Sequence, residues 1–105
     1  MNGRHEHLWS MYLDEPGEPF NLYALALEYL KSDMQKSRDL FLKLIWEHPE
    51  YIPAYYMTAE LLINLEEIPL ARQIITDGMR EAGKQNNTKA LSELKNLKAQ
   101  IDPDP

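Results

Sequence analysis

Two patterns of side-chain size recur once along this chain, and together they restrict what it can fold into. Phe20, Ala24 and Leu27 return as Tyr55, Ala59 and Leu62 at an offset of 35 residues, and Ser37, Phe41 and Leu44 return as Ala71, Ile75 and Gly78 at an offset of 34. Steps of three and four place each trio on one face of an α-helix. A large, small, large face on one helix and a small, large, small face on the next let the two nest. The expected crossings are Ala24 with Ser37 and Ala59 with Ala71, where small side chains let backbones approach. The one-residue difference in offset falls in a turn, where a change of length costs little.

Local signals place the helices. Glycine is sparse and no alternating run reaches strand length, so the pattern is helical throughout. Pro19 suits the first turn of a helix carrying Phe20, Ala24 and Leu27. Ser32-Asp33-Met34-Gln35 offers a cap for the next, whose stripe is Ser37, Leu40, Phe41, Leu44 and Ile45. It ends near His48, because Pro49 disfavours helix at the residue before it and has no N–H to donate. Pro53 opens a third helix and Pro69 a fourth, which Gly83 is expected to cap. Lys84-Gln85-Asn86-Asn87 reads as a loop before a last helix from Thr88 to Ile101 with Leu94 and Leu97 inside. The amphipathic run around Leu8, Trp9, Tyr12 and Leu13 predicts a helical segment over residues 4–13. By length the 105 residues form a single domain: 4–13, a first helix pair 19–49, a second 52–82, a capping helix 88–101 and a tail 102–105.

Charge and composition exclude several functions. Seventeen acidic against eleven basic residues give a net charge of −6, which disfavours nucleic acid as a partner. The absence of cysteine removes thiolate nucleophiles, disulfides and cysteine-ligated zinc, and fits a reducing cytoplasm. The first thirteen residues lack the apolar core of a secretory signal and ELLINL is too short to span a bilayer, so the chain reads as soluble, unexported and without a membrane partner.

The repeated residues, Ala24, Ser37, Phe41 and Pro49 in one copy and Tyr55, Ala59, Leu62, Ala71 and Ile75 in the next, resemble the tetratricopeptide repeat. That unit is a helix-turn-helix of about 34 residues with a proline after its second helix. The likeness covers residues 19–82, and the second copy lacks the closing proline. The layout is similar to short stand-alone bacterial proteins with two such repeats and a terminal helix. It implies an all-α superhelix of helix pairs, with the N-terminal segment and the capping helix covering apolar faces that two repeats cannot bury alone.

The resemblance also implies a function. In this family the first helix of each repeat lines a concave groove for a protein or peptide segment. Carried over, the groove residues are Asn21, Leu25, Glu28 and Tyr29, then Tyr56, Glu60, Ile63 and Asn64. The family's best-known mode clamps a C-terminal carboxylate with basic residues and asparagine, whereas this chain has Glu28 and Glu60 there. Segments 1–33 and 50–70 each sum to −4, so the expected groove is acidic and suits a basic or apolar segment.

Leu42 and Trp46 stand one turn apart on a side of the second helix that this repeat usually leaves polar. Either Trp9 and Tyr12 of the N-terminal segment fold over them, or they form a second interface for a partner or for homo-oligomerisation. His5, His7 and His48 make no metal set of known spacing, and no phosphate loop or nucleophile motif occurs. The expectation is a scaffold without catalytic, cofactor-binding or metal-binding residues.

Overall fold

The computed structural model describes residues 3–103, and the regular structure among them is helical. The helices are α1 (Gly3–Asp14), α2 (Pro19–Tyr29), α3 (Met34–Glu47), α4 (Pro53–Asn64), α5 (Ile68–Lys84) and α6 (Thr88–Ile101). They group into two compact units that divide between the repeats, Met1–His48 and Pro49–Pro105. Residues 104 and 105 of the expected tail lie outside the described residues.

Local chemistry sets most boundaries. Pro19, Pro53 and Pro69 occupy the first turns of α2, α4 and α5, where no intrahelical donor is needed. The Asp33 carboxylate caps α3 by accepting from the Lys36 amide at 3.0 Å, and Asn87 caps α6 by accepting from the Ala90 amide at 3.0 Å. Gly83 does not end its helix. α5 runs on to Lys84, and the reversal is made by Asn86 at φ 56°, with the Asn87 amide donating to the Ala82 carbonyl and the Asn86 amide to Gly83. Glu66, at φ 63°, closes α4 in the same way, through Glu67 N–H to Leu62 and Glu66 N–H to Ile63.

In the first unit α2 pairs with α3 and α1 lies against α2. Leu22, Leu25, Ala26, Leu40, Phe41 and Leu44 form the core with Leu8 and Tyr12 of α1. The expected stripe of α2 is displaced by one residue. Phe20 is 54% exposed and Ala24 and Leu27 are only half-buried, while Asn21, Leu25 and Glu28 are buried. The α2 to α3 approach is held at Ala26, whose carbonyl accepts from the fully buried Ser37 hydroxyl at 2.7 Å. With this correction both helices of the repeat obey one offset of 34, so Asn21, Leu25 and Glu28 match Tyr55, Ala59 and Leu62. Apolarity pointed to Phe20, but burial went to the polar face because α1 supplies its hydrogen bonds.

In the second unit α4 pairs with α5, and α6 packs on both. Tyr55, Ala59, Leu62, Ala71, Ile75 and Ala82 are buried, joined by Leu94 and Leu97 of α6. The small residues Ala59 and Ala71 are both fully enclosed, as their sizes require of two closely approaching helices.

Trp9 and Tyr12 do not fold over Trp46, which is 86% exposed, with Leu42 half-buried one turn away. The Trp9 indole instead donates to the Tyr29 hydroxyl at 3.0 Å, and the Lys36 ammonium stands 5.4 Å from its ring centroid. The Tyr29 hydroxyl satisfies the indole N–H while the rings meet edge to face.

Candidate functional site

Of the four residues that the resemblance places in a groove on α2, Asn21, Glu28 and Tyr29 meet groups of α1. The Asn21 side-chain amide donates to the Met11 and Glu15 carbonyls, both at 3.3 Å, and so closes the C-terminal turn of α1. Leu25 is fully buried. Glu28 is 7% exposed, and its carboxylate accepts from Arg4 Nε at 2.6 Å and Lys31 Nζ at 3.2 Å. The Arg4 hydrogen bond, with Lys31 in support, holds this carboxyl below the usual glutamate range even though burial opposes it. Tyr29 stacks on His5 with ring centroids 4.5 Å apart. Asn21, Glu28 and Tyr29 thus already have partners within the unit.

The second set is presented differently. Glu60 and Asn64 are exposed and Tyr56 and Ile63 are half-buried. Their spacing along α4 puts all four on one side of the helix. Next to them, Tyr55 turns inward and its hydroxyl donates to the Pro49 carbonyl. Burial, aided by the carboxylates of Glu81, Asp77 and Glu50, pushes the Tyr55 phenol up to about 12, so it remains a neutral donor. The face thus presents an acid, an amide, a phenol and an aliphatic group.

Sequence reasoning missed a shallow cleft of about 250 Å³ in the first unit, lined by Arg4, Phe20, Ala24, Leu27, Glu28 and Lys31. Glu28 and Lys31, three residues apart, were a readable signal for an ion pair. Arg4, 24 residues from Glu28, was not. Among the described residues no three His, Asp or Glu side chains converge as metal ligands, and no helix is long and apolar enough to cross a membrane.

No family model and no curated protein matches the chain. Solved structures do. A crystal structure of a tetratricopeptide repeat domain protein from Salinibacter ruber aligns with TM-score 0.77 and 31% identity, over 82% of this chain and 98% of that one. The chain belongs to the tetratricopeptide repeat family. A solution NMR structure of a tetratricopeptide repeat domain protein from the same organism agrees, with TM-score 0.76 and 34% identity over 81% of this chain and 87% of that one. The tetratricopeptide repeat fold points to a protein-interaction or scaffold module, and such folds are generally not enzymes. Within this tetratricopeptide repeat chain α2 pairs with α3 and α4 with α5.

Proposed function

We propose that this protein is a non-catalytic cytoplasmic interaction module that holds a segment of a partner protein on the open face of α4. Tyr56 and Ile63 supply contact area, Asn64 pairs with the backbone of the bound segment, and Glu60 selects for basic charge. The observation that carries this reading is the exposure of Glu60 and Asn64 beside half-buried Tyr56 and Ile63 on a helix whose other side is core. The charge of −4 over residues 50–70 favours a basic or apolar segment and opposes a terminal carboxylate.

The test is affinity capture with the full chain, followed by mass spectrometry, repeated with Tyr56→Ala and with Glu60→Lys. A partner caught by the parent and lost by both variants, with thermal melts unchanged, supports the reading. Capture that neither substitution alters would end it.

Trp46 favours a second reading, a homo-oligomeric assembly subunit. A tryptophan 86% exposed with Leu42 beside it is a surface more apolar than a solitary monomer needs. Light scattering after size exclusion checks it, and a monomer at every concentration would sink it.

A further inference from the structure

We propose that α1 is an internal ligand of α2, displaceable by a partner helix of the same chemistry: an arginine, a leucine one turn on and an aromatic beside it. The α4 reading stands or falls separately, on Tyr56 and Glu60.

The contacts of α1 are those expected of a ligand. The resemblance assigns Asn21, Leu25, Glu28 and Tyr29 to a groove for a basic or apolar segment, and α1 brings what such a segment would bring. Arg4 Nε donates to the Glu28 carboxylate at 2.6 Å, His5 stacks on the Tyr29 ring, and the Trp9 indole donates to the Tyr29 hydroxyl. The Asn21 amide donates to two backbone carbonyls, those of Met11 and Glu15, which any helix end can offer. Leu8, one turn after Arg4, is buried.

The attachment is slight. Leu8 and Tyr12 are the buried residues of α1, whereas α3, the other helix on α2, buries Ser37, Leu40, Phe41 and Leu44. Residues 15–18, which join α1 to α2, are exposed and include Pro16 and Gly17. A helix with few buried groups at the end of an exposed link opens at less cost than the core. Glu28 then decides what can replace it. This carboxylate is 7% exposed, and of the two cations on it Arg4 makes the shorter bond. A helix that covered it without a base would bury a charge stripped of its main partner, so the incoming helix has to bring one.

The probe is a fluorescein-labelled peptide of residues 3–14, GRHEHLWSMYLD, titrated into the full chain and followed by anisotropy. In the parent, the tethered α1 competes at an effective concentration that is roughly millimolar, so binding should be weak. Arg4→Glu in the full chain sets its own α1 against Glu28 and should raise the affinity for the peptide at least about tenfold. Adding Glu28→Gln should remove that gain. Hydrogen exchange of the full chain gives a second readout: the amides of α1 should exchange ahead of those of α3, and Arg4→Glu should quicken α1 alone. Equal peptide binding by the parent and Arg4→Glu overturns the proposal. Exchange of α1 in step with α3 does so too, because α1 is then an ordinary part of the core. An Arg4→Glu chain in which α3 also loses protection has the same meaning.

Discussion

Gly78 of α5 faces Tyr55 of α4 so closely that a Cβ on the glycine would lie 2.8 Å from the Tyr55 Cβ and 2.9 Å from its Cγ. Real Cβ atoms essentially never come that near, and the obstructing atoms are the rigid root of the tyrosine side chain. Gly78→Ala must therefore push the second helix pair apart, and should destabilise the fold by about 1–3 kcal/mol. Urea unfolding followed by circular dichroism would show it as a lower midpoint at unchanged slope.

Gly83 is the opposite case. It lies in the last turn of α5 with open space where a Cβ would go. Gly83→Ala should stabilise the chain by about 0.5–1 kcal/mol, since alanine loses less backbone freedom in a helix. Glu66 holds the left-handed position that glycine favours, so Glu66→Gly should also stabilise, by up to about 1 kcal/mol. Thermal melts of the three proteins should rank both variants above the parent.

The Tyr55 phenol is raised from 10.0 to about 12, chiefly by burial and then by nearby carboxylates. A neutral acid whose folded value is raised contributes stability that is complete below its unfolded value and lost as pH climbs through the folded one. The parent should therefore lose stability between pH 10 and 12, beyond what the other tyrosines cause. Tyr55→Phe forfeits the bond to the Pro49 carbonyl, which costs about 1 kcal/mol at neutral pH, and should show a flatter alkaline limb. Urea midpoints measured across that range would compare the two slopes, and equal slopes would contradict the assignment.

Glu28 carries the corresponding acid-side prediction. Its folded value is depressed by Arg4 and Lys31, and Asp102 is depressed likewise by Arg72, which it binds through two hydrogen bonds of 2.7 and 2.8 Å. The stabilisation is present above the ordinary carboxylate value of about 4 and is lost as pH falls through the lower folded values. Glu28→Gln should lower the melting temperature at pH 7 and make the acid limb shallower, because one of the protons taken up on unfolding is gone. Parallel limbs in scanning calorimetry would rule out this role for Glu28.

Much of the fold was legible because its signals are local. Pro19, Pro49 and Pro53 act on the residues beside them, and Asp33 caps its helix from three residues away. The second repeat was read in the correct register because Tyr55, Ala59 and Leu62 are apolar and also buried. The end of α5 was misplaced because Gly83 is the obvious left-handed residue, yet Asn86 fills that role. Of the proposed α4 face, Tyr56, Glu60, Ile63 and Asn64 were named from the sequence; Glu60 and Asn64 are exposed and Tyr56 and Ile63 half-buried.

By itself the sequence determined the helices and their pairing, since each depends on residues a few positions apart or on side-chain size alone. Tertiary structure decided which face of α2 is core. Asn21 and Glu28 could be buried only once Arg4, Met11 and Glu15 had been brought against them, and those groups lie 6 to 24 residues away. The free energy of burying a polar group depends on the partner it meets, and no pattern of apolar residues records that partner.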